Sequence, residues 1–218
     1  SCFGTVAVYS GGCLPSTEVA CSDNNDPHEM CLIGLSTSTT YYVQVVYPAG
    51  GPCGSGLPFD IEVNTVPAND DCTAPITLVL DGTENTSNQG ACNTCTQVLC
   101  SDPNTSDCYI VGAGPCTLYS LMSCGSVENN IWYDFTPTVT QDYYFLLANQ
   151  VNCDDGNGVQ MWIGQLPSGC GDASTYTEDF CQSTQTTADI ENTVTLTAGQ
   201  QYYISIDGWG GDMCDFDF

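Results

Sequence analysis

The sequence predicts an all-β protein made of disulfide-rich, antiparallel β-sandwich modules of the jelly-roll or immunoglobulin-like kind, arranged in tandem. Short alternating or β-branched runs recur about every ten residues and are separated by Gly, Pro, Asn and Asp. No long stretch has the apolar period of a helix. Sixteen cysteines among 218 residues, an even number, indicate a disulfide framework formed in an oxidising compartment, outside the cell or at its surface.

Four segments carry the strand pattern most clearly. Their apolar residues alternate with polar ones, or β-branched and aromatic residues follow one another, as in strands that pack against a core. We expect strands at residues 5–9, 41–46, 59–63 and 193–197.

An internal repeat relates the two ends of the chain. Residues 8–11 (VYSG) resemble residues 161–164 (MWIG), and a close pair of cysteines follows each of them. Residues 40–45 (TYYVQV) then match residues 201–206 (QYYISI). In both copies a glycine-rich loop with one cysteine and a Phe-Asp pair come next, so the repeat extends over several strands.

The repeat defines two modules of unequal length. Because residues 1–63 correspond to roughly 153–218, the stretch 1–66 is predicted to be the C-terminal half of a module. Residues 67–218 are predicted to be a complete module with a cysteine-rich insert at 92–124. A half module leaves strand edges and an apolar face uncovered, so we expect a neighbouring chain or a neighbouring repeat of a longer protein to complete it.

Only one sign of charge is present in the chain. It has no Lys or Arg, its 26 acidic residues give a formal net charge of −26, and proteases that cleave after Lys or Arg have no site. Without a basic patch the chain cannot hold phosphate, which excludes nucleic acid as a direct partner. Its apolar runs are too short to span a bilayer, so membrane insertion is not expected either.

Several motifs occur in the order found in a known kind of module. They are residues 67–72 (PANDDC), 131–136 (IWYDFT), 143–145 (YYF), 161–164 (MWIG) and 197–204 (TAGQQYYI), followed by Asp207 and Gly208. This series resembles the β-sandwich modules of large secreted surface and adhesin-type proteins of gliding, type IX secreting bacteria, which are related to prepeptidase C-terminal domains. The resemblance implies a secreted module that serves as a spacer, an adhesin, a carbohydrate binder or an accessory domain of a protease.

No catalytic constellation is visible in the sequence, and we expect a protein that is not an enzyme. Its single histidine, His28, stands in a polar loop, and no nucleophile-elbow motif accompanies it. Paired-carboxylate hydrolysis is compatible with the residue types, but nothing singles out two of the acidic residues. A solvated loop position is therefore the expected role of His28.

Two loops rich in oxygen ligands are candidate calcium sites. Asp23 and Asp26 belong to the segment SDNND, and Asp154 and Asp155 belong to the segment NCDDGN. Calcium prefers such carboxylate and carbonyl oxygens, and a bound cation would relieve part of the negative charge. Neither loop has the EF-hand pattern, and the alternative is Asx turns, in which these side chains bond to the local backbone.

One aromatic residue is a candidate for binding surface glycans. Trp209 stands beside Asp207 in the loop DGWGG, where an indole ring could stack on a sugar. Packing against the loop of Cys214 is the alternative that we favour for Trp209. Trp132 and Trp162 lie in strand-like segments and are expected in the core.

The cysteines divide unevenly between the two modules. Residues 1–66 contain five and residues 67–218 contain eleven, so at least one disulfide must cross the boundary or leave the chain if all are oxidised. The close pairs predict the bonds Cys13–Cys21 and Cys170–Cys181, and Cys31 could pair with Cys53. Cys2 would then be the residue whose partner lies outside its own module.

Together these features predict an extracellular structural protein, a subunit or repeat segment of a bacterial surface filament or adhesin. Its partners would be copies of itself, joined head to tail into a homopolymer. The alternative is a carbohydrate-binding module or an accessory domain of a secreted hydrolase, centred on Trp209. Calcium is the only cofactor that the residues suggest.

Overall fold

The structure, a computed structural model, describes residues 5–11, 17–23, 35–46, 65–91, 129–169 and 176–218, with residues 32, 61, 63, 98–99, 109–110 and 124. It divides into two compact units: Ser1–Val63 with Thr96–Gly114, and Asn64–Cys95 with Pro115–Phe218. The described residues form strands, turns and one short 3-10 turn, so the predicted all-β class is confirmed. Within these stretches, no helix has the length and apolar character needed to cross a membrane.

The described residues contain fourteen strands, numbered here in chain order. They are β1 (Thr5–Ser10), β2 (Thr17–Asp23), β3 (Tyr41–Val46), β4 (Ile76–Thr77), β5 (Asn85–Ser87), β6 (Val98–Leu99), β7 (Tyr109–Ile110), β8 (Ile131–Phe135), β9 (Gln141–Val151), β10 (Val159–Gln165), β11 (Thr177–Gln182), β12 (Ile190–Leu196), β13 (Tyr202–Gly208) and β14 (Asp215–Asp217).

Three of the four strands predicted from the sequence are found, as β1, β3 and β12. In the fourth segment only Ile61 and Val63 are described, and neither belongs to a strand. At these two positions the prediction is wrong. Both side chains are exposed, and no described strand lies beside them to form a ladder.

In the first unit β1 is the centre of a three-stranded antiparallel sheet with the order β2-β1-β3. Ala7 and Val8 of β1 are buried. By contrast β3, an edge strand of this sheet as described, exposes 41% of Tyr42, 47% of Val43 and 45% of Val46. A ribbon of β6 and β7 belongs to the same unit, and β6 lies close to β2.

The second unit contains a five-stranded sheet of order β11-β10-β13-β8-β4 and a four-stranded sheet of order β12-β9-β14-β5. All neighbouring strands are antiparallel except β4 and β8. Alternate residues of the two sheets meet in one core, which includes Ile131, Tyr133, Met161, Ile163, Ile204 and Ile206 from the first sheet and Tyr143, Phe145, Leu147, Val194, Leu196 and Phe216 from the second. Each large apolar side chain buried there contributes roughly 1.5–3 kcal/mol.

A smaller cluster covers the opposite face of the five-stranded sheet. Trp132 and Trp162 are buried there, with their rings edge to face and the centroids 6.5 Å apart. Cys72 and Leu166 pack against them. Both tryptophans therefore belong to the interior, as the sequence predicts, but not to the core between the sheets.

The sheet of the first unit repeats part of the second unit in strand order, direction and irregularity. The order β2-β1-β3 corresponds to β11-β10-β13, and all these neighbours are antiparallel. In both sheets the outer strand carries one extra residue, Val19 in β2 and Asp179 in β11. A cysteine follows two residues later in each case, Cys21 and Cys181.

The strand ladders confirm the alignment of residues 40–45 with residues 201–206, but they shift the alignment of the first strands, β1 and β10, by two residues. Ala7 and Trp162 occupy equivalent positions opposite the two cysteines, which makes Tyr9 the counterpart of Gly164. A Cβ atom on Gly164 would lie 2.5 Å from the ring of Trp162 and 2.0 Å from the carbonyl oxygen of Thr177. Each copy thus has one large and one small residue at these two positions: Ala7 and Tyr9 in the first, and Trp162 and Gly164 in the second.

Candidate functional site

The polar residues that the sequence singles out in the second unit meet where two loops pack together. We call this region, residues 152–158 and 208–214, the polar corner. The first loop joins β9 to β10, and the second joins β13 to β14. The backbone N–H of Trp209 donates to the carbonyl oxygen of Gly158 at 2.9 Å, which holds the loops together.

Asp212 is the centre of the polar corner, although the sequence reasoning did not single it out. Its side chain is fully buried. Its carboxylate accepts three backbone N–H groups of the first loop, from Asp155 at 2.8 Å, Asn157 at 2.6 Å and Gly158 at 2.7 Å. Such charge-assisted hydrogen bonds are stronger than neutral ones, so this side chain sets the shape of the loop.

The groups around Asp212 are hydrogen-bond donors that bind a carboxylate anion, and they do not form a metal site. Cys153 and Cys214 lie close enough to it to form a three-residue metal-type group among the described residues. However, the two cysteines form a disulfide, so neither sulfur is a thiolate that could bind an ion. Both carboxylate oxygens already face N–H groups, whose positive ends take the place that a cation would occupy.

Asp207 is also buried, and its carboxylate is engaged in the interior. It accepts the backbone N–H of Asn129 at 2.8 Å and the side-chain amide of Gln160 at 2.6 Å. Of the two residues considered for a glycan site, only Trp209 therefore reaches solvent, and its side chain is half-buried. Trp209 begins the 3-10 turn Trp209–Gly211.

Two buried asparagines close the polar corner from the other side. Asn129 accepts the N–H of Gly208 at 3.0 Å and donates to the carbonyl oxygens of Gly211 and Asp212. Asn88 donates to the same carbonyl of Asp212 at 3.0 Å and accepts the N–H of Cys214 at 2.7 Å. The backbone groups of this turn are thus satisfied by side chains, as buried polar groups require.

The residues predicted as calcium ligands are placed as follows. Asp154 and Asp155 are exposed at the surface of the polar corner. Asp23 ends β2, but its side chain lies outside the described residues, as do Asp26 and His28 altogether.

Two disulfides are described, and one of them corrects the predicted pairing. Cys181 is bonded to Cys124 and not to Cys170, because the chain brings Cys124 to within a Cα–Cα distance of 5.9 Å of β11. Cys153 is bonded to Cys214. Cys72 is also disulfide-bonded. The thiols of the other predicted bonds, Cys2, Cys13, Cys21, Cys31, Cys53 and Cys170, lie outside the described side chains.

A second polar surface, not anticipated from the sequence, lies on the exposed face of the four-stranded sheet. Tyr144 is 59% exposed there. Its hydroxyl donates to the carboxylate of Glu191, and this hydrogen bond raises the pKa of Tyr144 above its ordinary value. Nearby, the hydroxyl of Thr195 donates to the carboxylate of Asp142 at 2.5 Å, and the amide of Asn149 donates to the carboxylate of Asp217 at 2.6 Å. The signal in the sequence was the tyrosine pair at 143–144, whose members must point to opposite faces of a strand.

Comparisons with protein-family models, with curated proteins and with solved structures found no match to this chain.

Proposed function

We propose that this is an extracellular structural protein, a subunit or repeat segment of a bacterial surface filament or adhesin. In this proposal disulfide-stapled β-sandwich modules of the jelly-roll or immunoglobulin-like kind, similar to those of type IX secreted surface proteins, are joined head to tail. In this proposal residues 1–66 are the C-terminal half of such a module, and a neighbouring chain or a neighbouring repeat of a longer protein completes it.

The observation that carries the proposal is a strand face that is covered in the second unit but uncovered at the equivalent strand of the first unit. In the second unit β13 pairs on its outer side with β8, and Ile204 is fully buried. The counterpart of Ile204 in β3 is Val43, which is 47% exposed, and β3 has no strand on that side among the described residues. Added strands would bury this apolar face and use the free backbone groups, as in strand complementation between chains.

A contact of this kind leads to a filament. In this proposal the strands that complete the half module come from a different part of the neighbouring chain, so the contact is heterologous, and each added chain presents a new incomplete end. Disulfides suit such a role because they constrain the unfolded chain and resist mechanical opening. The described bonds Cys124–Cys181 and Cys153–Cys214 both join residues that are far apart in sequence.

Electron microscopy of the native material tests the proposal directly. Filaments with a regular axial repeat are expected. A single monomeric species at all concentrations in light scattering, with no filaments in micrographs, would contradict it. Substituting Val43→Asp should shorten or abolish the filaments, whereas Val139→Asp, which changes an exposed valine of the second unit outside the proposed contact, should leave them intact.

The missing Lys and Arg fit a durable extracellular material. Proteases of the trypsin type need these residues, so we propose that their absence protects the assembled protein. Reduced and unfolded chain should resist trypsin and be cut by a chymotrypsin-like enzyme. Rapid loss of the native protein in a protease mixture dominated by Lys/Arg-specific enzymes would refute the protective role.

The alternative function is carbohydrate binding, and the exposed face of Tyr144 favours it more than Trp209 does. A groove of about 680 Å³ includes Tyr144 in its lining, together with residues 78–83, other residues of β9, Asp217 and Phe218. An aromatic ring among hydrogen-bonding side chains is a common arrangement for stacking sugars. Loss of glycan-array binding in Tyr144→Ala but not in Trp209→Ala would support this site, and no binding by the parent protein would exclude it.

A further inference from the structure

The disulfides of the second unit can be transferred to the first, because the strands that carry the cysteines are equivalent. Strand β2 begins with the sequence TEVAC and β11 with TEDFC. The extra residue of the bulge is the third of the five in each strand, and the cysteine is the fifth. Cys21 is therefore the structural counterpart of Cys181.

A second correspondence concerns the loop that follows the last strand of each sheet. Cys53 comes seven residues after Val46, the end of β3, and Cys214 comes seven residues after Asp207, the counterpart of Val46. Cys2 precedes β1 as Cys153 precedes β10: Cys2 lies three residues before Thr5, and Cys153 lies seven residues before Gln160, the counterpart of Thr5. The bond Cys153–Cys214 thus predicts the bond Cys2–Cys53.

The same transfer leaves Cys21 without a partner in its own module. Its counterpart Cys181 is bonded to Cys124, which stands in the part of the complete module that comes before β8. Residues 1–63 have no equivalent of that part. If Cys2 pairs with Cys53, then Cys13 and Cys31 remain beside Cys21 in the first module, and these two can pair with each other. Cys21, and not Cys2, is then the odd cysteine of the first module.

The structure also indicates which segment takes the place of Cys124. Residues Thr96–Gly114 of the cysteine-rich insert group with the first unit, and β6 lies against β2, the strand that carries Cys21. The insert has a cysteine directly after β6, Cys100, and another directly before β7, Cys108. In both units, then, the strand with the equivalent cysteine lies beside a cysteine-bearing segment from outside the three equivalent strands.

We propose that Cys21 forms a disulfide with a thiol of the insert, Cys100 or Cys108, while Cys2 pairs with Cys53. The insert is that of the same chain or of a neighbouring copy. The bond forms by exchange with an oxidising disulfide: the two thiols lose two protons and two electrons, and the oxidant leaves as two thiols. The inference rests on the repeat relation used in the proposed function, and it names the covalent attachment of the incomplete module.

Peptide mapping of the unreduced protein tests the connectivity. Digestion with pepsin at acid pH suits a chain without Lys or Arg and suppresses disulfide exchange. Mass spectrometry should find one linked peptide that joins Cys21 to Cys100 or Cys108 and another that joins Cys2 to Cys53. A peptide that links Cys21 to Cys13, Cys31 or Cys53, or an alkylated Cys21 in the unreduced protein, would overturn the proposal.

Two serine variants provide a matched comparison. Cys21→Ser should expose one alkylatable thiol in the insert, and Cys2→Ser should expose one at Cys53; the reverse labelling would contradict the assignment. Non-reducing electrophoresis shows whether the insert that bonds to Cys21 belongs to the same chain or to a neighbouring copy. Covalent multimers that disappear in Cys21→Ser but persist in Cys2→Ser place the bond between copies, whereas monomers in both place it within the chain. If only monomers are found, the bond between Cys21 and the insert still stands, but the chains of a filament are then not joined by it.

Discussion

The substitution Asp212→Asn is the sharpest test of how this chain stabilises buried charge. Asp212 is fully buried, and its two carboxylate oxygens accept three backbone N–H groups. The asparagine side chain has nearly the same size and shape but only one oxygen. The substitution therefore changes charge and hydrogen bonding while leaving the packing of the polar corner intact.

The expected cost follows from the geometry. If the amide oxygen keeps the two N–H groups of Asn157 and Gly158, its NH₂ group faces the N–H of Asp155, and this donor is left without an acceptor. An orphaned buried donor costs about 1–3 kcal/mol, and each remaining bond loses about 1 kcal/mol when its acceptor becomes neutral. The total is about 3–5 kcal/mol, a large part of the roughly 5–15 kcal/mol that stabilises a typical domain.

Urea unfolding with the disulfides intact measures this loss. The matched control is Asp155→Asn, which removes the same unit of charge from the other loop of the polar corner, at an exposed side chain. Its backbone N–H remains, so the control should change the free energy of unfolding by less than about 0.5 kcal/mol. Equal effects of the two substitutions would refute the reasoning, because the loss would then come from charge alone.

The remaining predictions concern the same unit. Replacing both Cys153 and Cys214 by serine opens a loop of 61 residues and should lower the urea-derived free energy of unfolding by about 4 kcal/mol, and a loss below about 1 kcal/mol would contradict this. Gly158→Ala should be far more damaging to the melting temperature than Gly156→Ala, because both glycines have positive φ but only at Gly158 would a Cβ meet a carbonyl oxygen, at 2.2 Å. Added NaCl should raise the melting temperature, by roughly 2–4 °C for each kcal/mol of repulsion relieved, since a chain with no Lys or Arg has mainly like charges to screen; a fall would show that attractive pairs dominate. Burial raises the pKa of Tyr133 above its ordinary value, so the unfolded chain loses this proton first, and stability should fall as pH rises above about 10. Tyr133→Phe should flatten that fall in unfolding midpoints measured between about pH 8 and 11, and an unchanged slope would count against the assignment.

The class of fold and the repeat could be predicted from the sequence because both depend on local patterns. Strands leave a two-residue alternation, and disulfides leave an even cysteine count. The register of the third strand, β3 against β13, was also predicted correctly, but that of the first strand, β1 against β10, could not be derived in this way. Matching Tyr9 to Trp162 aligns two aromatic residues, and a slip of two residues keeps every side chain on its own face. Only the ladder hydrogen bonds show that Tyr9 corresponds to Gly164.

The disulfide pairing was misjudged for a related reason. Closeness in sequence favoured Cys170 as the partner of Cys181, whereas the bonded partner Cys124 is 57 residues away. Segments that pack side by side in the fold are often distant in the chain, so loop length says little about which sulfurs meet. Asp212 could have been noticed, however. Two residues before Cys53 the first copy has Gly51, where the second copy has Asp212, and the same first copy has the shorter loop before its first strand.

The hydrogen bonds of Asp212 show how a chain with one sign of charge can bury a carboxylate. A buried carboxylate normally needs a cationic partner or several hydrogen-bond donors. With no Lys or Arg available, the donors at Asp212 are N–H groups of a loop that is longer in the copy that has this aspartate. Asp207 is served by a backbone N–H and a glutamine amide in the same manner. At Asp207 and Asp212, backbone N–H groups and an amide side chain therefore stabilise buried carboxylates without an opposite charge, in a chain whose formal net charge is −26.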